Sequence, residues 1–470
     1  MFSRVNAFDF DVAIIGGGSG GYAAARTAAG AGLNAVVIEG GKEIGGLCIL
    51  RGCMPTKALL YAADVIHLAR HASTWGIRAP EVSFDFAQVM ARKNRMIKEF
   101  AEDRVQQITG GKFKFIRAHA RFVDSHTLAL SNGESLTAGN FIISTGSVVS
   151  EPPLAQLKQA EYLTSDDALR LMEPPKSLIV LGGGLVAVEF AQFFARFDAK
   201  VTLVQRSEHI LRGFDTDAAA ELEKVFRRDG IEVFTTTNLV DAWREANLKG
   251  VAFDHNGKTI RVTAEEMLFA LGRTPNTSGL HLDRAGVTTD GPRIVTNPQM
   301  QTSAPHIYAA GDCTGPHEIV HIAVQQGEIA AHNIAHPGRT RHIDYRLLTQ
   351  VVFTDPQIGM VGLTEKEARA RNVPWLAATY PFNDHGKSLI MDARDGFVKL
   401  LADPKTGEIL GGCCVGPMGG ELIHEIIAAM ARRMTVHELA AMPHYHPTLA
   451  EIWTYPAEAL AGQIRVEQNL

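Results

Sequence analysis

Two stretches of this chain align without a gap. Residues 11–41 read DVAIIGGGSGGYAAARTAAGAGLNAVVIEGG, and residues 177–207 read SLIVLGGGLVAVEFAQFFARFDAKVTLVQRS. Each is an apolar strand, a glycine-rich turn, an alanine-rich helical run and a second apolar strand, which together make a βαβ unit. The repeat predicts two dinucleotide-type halves in one chain.

The glycines have separate tasks in such a unit. Gly16 and Gly182 permit the tight turn, Gly18 and Gly184 let the backbone approach a pyrophosphate, and Gly21 and Ala187 let the helix pack on the strand. The pyrophosphate is expected at the helix N-terminus, where free N–H groups and the helix dipole favour an anion. One glycine fingerprint is weak evidence, because glycines also serve ordinary turns. Two fingerprints in strand–turn–helix context are much stronger.

The end of each second strand separates the ligands. The first unit has Glu39, 23 residues past Gly16, and an acid there suits a ribose diol. The second unit has Gln205, also 23 residues past its first glycine, followed by Arg206 and Arg212. Losing the acid and gaining arginines argues for a 2′-phosphate, hence NADP(H) over NAD(H). The plainer alternative is that both arginines are solvated surface charge.

Between the repeats lies GGLCILRGCMPTK, residues 45–57, with Cys48 and Cys53 five positions apart. The pair is open to four readings: structural, half a metal site, a redox couple, or accident. Spacing alone decides little, since five cysteines placed at random give some pair this close roughly once in five times. No further metal ligand lies within the segment. So few cysteines do not make an extracellular disulfide framework, and a reduced cytoplasmic setting is expected.

The bulk numbers exclude other classes. Net charge is −5 and the pI is about 6.4, which speaks against nucleic acid or an anionic membrane as partner. No run approaches twenty uninterrupted apolar residues, so no membrane span is expected. Residues 84–109 read as one long charged helix, and an amphipathic helix follows residue 56. From about residue 346 the pattern becomes that of a separate α+β domain.

In the order of its motifs the chain resembles the FAD-dependent pyridine nucleotide–disulfide oxidoreductases, the family of lipoamide dehydrogenase, glutathione reductase and mercuric reductase. The resemblance runs over nearly the whole length. It rests on the first fingerprint with Glu39, GGLCILRGCMPTK, STGS with Gly146, the second fingerprint, GRTPN, AAGDCTG with Asp312, and HPTLAE near the end. The fold class it implies is α/β, with two Rossmann-like dinucleotide-binding domains and a C-terminal α+β dimerisation domain. Residues 1–149 with 277–345 would bind FAD, 150–276 would bind NAD(P)H, and 346–470 would form the interface of a homodimer.

The same resemblance implies the site. Cys48 and Cys53 would be a redox-active disulfide, with Cys53 facing the flavin and Cys48 attacking substrate as a thiolate. Lys57 and Glu189 would pair beside the flavin ring, and Asp312 would lie near its ribityl chain. His446, oriented by Glu451, would carry a proton across the dimer to the partner's disulfide. His444 is the weaker candidate. Cys413 and Cys414 fall in one apolar strand, point to opposite faces and are expected to be packing residues, as is Cys313. No metal centre is expected.

The motifs point to an NADPH-dependent reductase of a small disulfide, like lipoamide or glutathione disulfide. One alternative is reduction of mercuric ion or another inorganic electrophile, such as an oxidised halogen species. Another is an NAD-linked dihydrolipoamide dehydrogenase, and a third is a redox sensor without turnover. Leu185, where glutathione reductases usually carry tyrosine, argues against glutathione. Gln205, where lipoamide dehydrogenases usually keep an acid, argues against the NAD-linked enzyme.

Overall fold

The structure, a computed structural model, describes residues 7–464. Within them the chain divides into two compact units. The first gathers the residues up to Thr56, Ala91–Glu151 and Gly272–Ile343. The second gathers Lys57–Met90, Pro152–Leu271 and the residues from Asp344 onward.

The first unit is built on a parallel sheet. Its strands run in the order Lys114–Ile116, Ala35–Ile38, Phe10–Ile15 and Ser135–Ile143, and Ile307–Ala309 pairs with the end of the last. Val12, Ala13, Ile14 and Val36 are completely buried. Unbroken apolar runs of this kind belong to strands covered on both faces, which is why they read as blocks rather than as alternation. Thr127–Leu130 and Ala120–Phe122 extend the sheet antiparallel, after a turn at Asn132 and Gly133.

The second repeat copies the first. Strand Ser177–Leu181 pairs in parallel with Lys200–Val204 on one side and Glu266–Phe269 on the other, and Glu232–Phe234 completes the sheet. The copy keeps its register through the helix. Ser19–Gly30 and Leu185–Arg196 both have 12 residues, and both start three positions after the first fingerprint glycine. A three-stranded antiparallel meander, Asn238–Glu245, Leu248–His255 and Lys258–Ala264, follows in the second unit.

Helix Leu185–Arg196 is apolar nearly all round, so it is buried. Phe190, Phe193 and Phe194 pack against one another, and Phe193 packs against Phe197. Its three polar buried residues, Glu189, Gln192 and Arg196, lie at helical spacing on one stripe; Glu189 and Gln192 are hydrogen-bonded, and Arg196 is bonded through both Nη atoms while its Nε has no partner. Gln192 exchanges two 2.7 Å hydrogen bonds with the Asp355 backbone. Arg196 donates to Asp64 at 2.5 Å and to Asp355 at 2.6 Å. Hydrogen-bonded polar groups of this kind fix one arrangement of segment 353–355 against the helix.

The C-terminal part of this unit is a five-stranded antiparallel sheet, ordered Thr349–Val352, Gln357–Gly362, Ile409–Gly416, Phe397–Ala402 and Leu376–Pro381. Strand alternation separates the adjacent cysteines. Cys413 joins the core that holds Phe190 and Phe193, while Cys414 joins the core that holds Phe382 and Trp453. Burial pushes the Cys413 thiol up to about 12 and Cys414 well above its ordinary value, so neither is a ready thiolate. Among the described residues no helix is long and apolar enough to cross a membrane.

Two expected elements have shifted bounds. The helix after the cysteine motif begins at Cys53 rather than after residue 56, and the long charged helix runs Phe86–Thr109. The glycine turn before Cys48 is followed at once by a short helix, Gly46–Leu50. Local helical hydrogen bonding therefore starts inside the motif, not after it.

Candidate active site

The first glycine turn is a cradle with no room for side chains. Gly16 has φ +106°, and a Cβ on it would lie 2.3 Å from Ser144 O. A Cβ on Gly21 would lie 1.9 Å from Gly16 O. Helix Ser19–Gly30 begins at Gly18 with no side-chain cap and no acid in its first turn, so its free N–H groups stay available to an anion. Glu39 folds back over the turn, accepting from Gly17 N at 2.8 Å and Gly41 N at 2.6 Å.

On the neighbouring strand end the Thr145 hydroxyl is buried without a partner, and Gly146 has φ +69° with open space beside it. Asp312 opens a 3-10 turn and accepts from Ser147 Oγ at 2.6 Å, while Arg273 Nε donates to the same hydroxyl at 2.8 Å. An orphaned hydroxyl, a glycine cradle and an acid on one rim fit an adenine dinucleotide with a polyol chain. A Gly21→Ala variant is expected to purify with little bound flavin, read from the ratio of visible to ultraviolet absorbance. The new methyl forces the helix off the strand.

Cys48 lies in helix Gly46–Leu50 and Cys53 opens helix Cys53–Arg70; both are half-buried. Arg104, on the long helix, lies within electrostatic reach of Cys48 and stacks 4.3 Å over the Tyr22 ring. Cys313, by contrast, is fully buried beneath Asp312, and burial raises its thiol to about 11.

In the second unit Lys57 and Glu189 meet. Lys57 Nζ donates to the two Glu189 oxygens at 2.8 and 3.0 Å. Glu189 is 2 % exposed and also accepts from Phe353 N at 3.0 Å, and Lys57 lies 4.7 Å over the Phe353 ring. Phe353 was not legible as part of this cluster, since it stands 164 positions from Glu189 in a stretch without a motif.

The second glycine turn repeats the first with one change. Gly182 has φ +113° and a Cβ there would lie 2.4 Å from Ala270 O, whereas Gly184 faces open space and Ala187 is fully buried. Glu39 bonds its own glycine turn, whereas Gln205 packs against Gly183 but makes its hydrogen bonds elsewhere. Its Oε1 accepts from Arg206 N at 3.1 Å and its Nε2 donates to His209 O at 3.4 Å. Arg206 and Arg212 are exposed.

Ser207, Glu208, His209, Arg212, Thr216 and Lys366 line a shallow cavity beside this loop. Lys366 Nζ donates to Arg212 O at 3.2 Å, and the Glu365 and Lys366 backbone N–H groups donate to Asp215 at 3.2 Å each. Lys399, 1 % exposed, ties Asp215, Asp217 and Glu365 together at 2.8–2.9 Å. The arginine-bearing loop is thereby pinned from 150 residues away.

Near the C-terminus His446 Nδ1 lies 2.9 and 3.1 Å from the Glu451 carboxylate. The His446 side chain is 77 % exposed, while Glu451 is 7 % exposed. A buried carboxylate holding an exposed imidazole leaves the other ring nitrogen free to carry a proton outward. His444 is bound elsewhere, with Nε2 2.6 Å from Glu425 Oε1. Among the described residues, no group of three or more His, Cys, Asp or Glu is arranged to hold a metal ion.

Residues 10–327 match the family described as pyridine nucleotide–disulphide oxidoreductase, and residues 348–457 match its dimerisation domain. Curated relatives include a dihydrolipoyl dehydrogenase of Geobacillus stearothermophilus. It is 35% identical over 460 residues, covering 97% of each chain. Another dihydrolipoyl dehydrogenase, from Thermus scotoductus, is 36% identical over 461 residues, 97% of this chain and 98% of its own. Among solved structures, LpdA of Mycobacterium tuberculosis superposes with TM-score 0.86 at 29% identity, covering 96% of this chain and 99% of that one. The HOCl-induced flavoprotein disulfide reductase RclA of Escherichia coli gives 0.84 at 26% identity, covering 95% and 99%. The chain belongs to the pyridine nucleotide–disulphide oxidoreductase family, as an FAD-dependent enzyme with a redox-active cysteine pair and a C-terminal dimerisation domain.

Proposed function

We propose that this protein is a homodimeric, NADPH-dependent reductase of a small disulfide, working through Cys48 and Cys53. The observation that carries this reading is the joint presence of the cysteine pair, the Lys57–Glu189 pair and the His446–Glu451 dyad. The flavin, when bound in the first cradle, supplies the two-electron link between the nicotinamide and the cysteines.

The chain's own residues do the rest. The Cys48 thiolate attacks one sulfur of the substrate, forming a mixed disulfide and expelling the first thiolate, which takes a proton from His446. The Cys53 thiolate then attacks the Cys48 sulfur, the second substrate thiol leaves, and the Cys48–Cys53 disulfide is restored. Glu451 holds the Nδ1 face of His446, so the proton travels on Nε2. Lys57 is held by a carboxylate that Phe353 N also fixes, which gives its positive charge a set position; the family resemblance implies that this charge would serve the flavin ring.

Nucleotide preference rests on Gln205, Arg206 and Arg212. A neutral amide in place of an acid removes the repulsion a 2′-phosphate would meet, and two exposed guanidinium groups offer charge-assisted hydrogen bonds. Flavin reduction by NADPH is expected to outpace reduction by NADH. Arg206→Gln and Arg212→Gln are each expected to weaken NADPH roughly 10-fold or more while leaving NADH nearly unchanged. Equal rates with both nucleotides would refute the preference.

A second reading is favoured by the relatives named dihydrolipoyl dehydrogenase, which support lipoamide as the disulfide and NAD as the nucleotide. The resemblance to an HOCl-induced reductase keeps inorganic electrophiles in the same panel. Turnover of lipoamide, glutathione disulfide, mercuric ion and an oxidised halogen, each with NADPH and NADH, separates these readings.

A further inference from the structure

Glu451 has a second imidazole against it. His385 is 0 % exposed, and its Nε2 lies 3.4 Å from Glu451 Oε1, the oxygen that His446 Nδ1 meets at 3.1 Å, with Oε2 2.9 Å from the same Nδ1. On its other side His385 Nδ1 lies 2.7 Å from Ser388 Oγ, and Ser388 is also fully buried. The segment also passes near His446: a Cβ placed on Gly386 would lie 3.9 Å from His446 Cε1. Ser388, His385, Glu451 and His446 thus form one row from the core to the surface.

The proton on His385 can be placed by its surroundings. The ring faces two acceptors, the Glu451 carboxylate and the Thr448 carbonyl. A lone pair at Nε2 would oppose the carboxylate, so Nε2 carries the hydrogen and the Ser388 hydroxyl donates to Nδ1. Burial pushes the ring below the usual histidine range and His446 acts the same way, outweighing the Glu451 carboxylate and the Thr448 carbonyl, which act upward. Tyr455 meets the ring edge-on at 6.4 Å, and Tyr380 and Asp384 complete the polar groups nearby. At 3.4 Å the Nε2 contact falls short of a well-formed hydrogen bond, and Nε2 makes no well-formed hydrogen bond to any group. Contacts of this kind commonly tighten once a catalytic site is complete.

We propose that His385 is a positioning residue for the His446–Glu451 dyad, holding the carboxylate by a second N–H, directed at Oε1. The inference rests on the reading of His446 as proton carrier in disulfide reduction. Its physical content is that Glu451, nearly buried and held at both oxygens by a single exposed imidazole, needs a second donor to keep its plane. Removing that donor lets the carboxylate turn and leaves its charge less neutralised, which favours the protonated form of His446.

The test compares wild type, His385→Leu and His385→Asn in full-length holoenzyme. Disulfide turnover is measured across pH, and flavin reduction by NADPH is measured in the same samples. His385→Leu is expected to lower turnover about 10-fold. It is also expected to move the apparent pKa of turnover upward by at least about half a unit. His385→Asn, which keeps an N–H donor, recovers a large part of both. An unmoved pH profile overturns the inference, whether turnover is intact or falls equally in both variants. Wild type that reduces its flavin but turns over no disulfide overturns the disulfide reading itself, and the inference with it.

Discussion

Replacing Cys48 by serine is expected to abolish disulfide turnover, by on the order of 10⁴-fold or more, while NADPH still reduces the flavin. The reason lies in the division of labour between the two sulfurs. A serine hydroxyl is not ionised near neutral pH and cannot form the mixed disulfide, so attack on substrate stops. Cys53, the first residue of helix Cys53–Arg70 and the sulfur assigned to the flavin, is untouched by the change, so the nicotinamide half of the reaction has no reason to change. Rapid-mixing spectrophotometry separates the two halves. Disulfide turnover within a few fold of wild type would refute the assignment of Cys48 as the attacking thiol.

The second large effect is expected at His446. His446→Gln should slow disulfide turnover by about 10²–10⁴-fold and flatten its pH dependence, because amide nitrogen does not titrate in this range. Glu451→Gln should cost less, since it leaves the imidazole present but loosely held. His444→Gln provides the contrast. His444 is occupied by Glu425 at 2.6 Å and by Thr454 Oγ1 at 3.1 Å, so its loss should appear in thermal stability rather than in the pH profile. Steady-state rates over a pH series check all three. A pH profile for His446→Gln that matches wild type would remove His446 from the mechanism.

The fold was legible wherever local pattern and long-range structure agree. The gapless repeat carried glycine spacing, apolar runs and strand ends together, and the two units keep one register through strand, turn and helix. The cysteine alternation in Ile409–Gly416 followed from period two alone. Lys57 with Glu189, and His446 with Glu451, were identified as pairs because family motifs mark both members.

The rest was not legible for a shared reason. Phe353 closes the Lys57–Glu189 pair, Lys366 supports Arg212, and His385 faces Glu451, yet each reaches its partner across 66 to 164 residues of chain. Nothing in the local periodicity of QVVFTD, LTEKEA or FNDHGKS marks those side chains for such meetings. The sheet and its crossovers decide them, and no amount of motif reading supplies that geometry. The meander at 238–264 lies outside every family motif, although Lys258–Ala264 alternates in exposure and Asn256 with Gly257 makes its second turn.

The central claim is that electrons pass from NADPH to the flavin and on to Cys53 and Cys48. Anaerobic titration with NADPH tests it most directly. Wild type is expected to develop a long-wavelength charge-transfer band after one equivalent, the mark of a Cys53 thiolate against oxidised flavin, and Cys53→Ser is expected to lose that band while its flavin bleaches. A wild-type flavin that bleaches directly with no such band, or a band that survives in Cys53→Ser, would contradict the account.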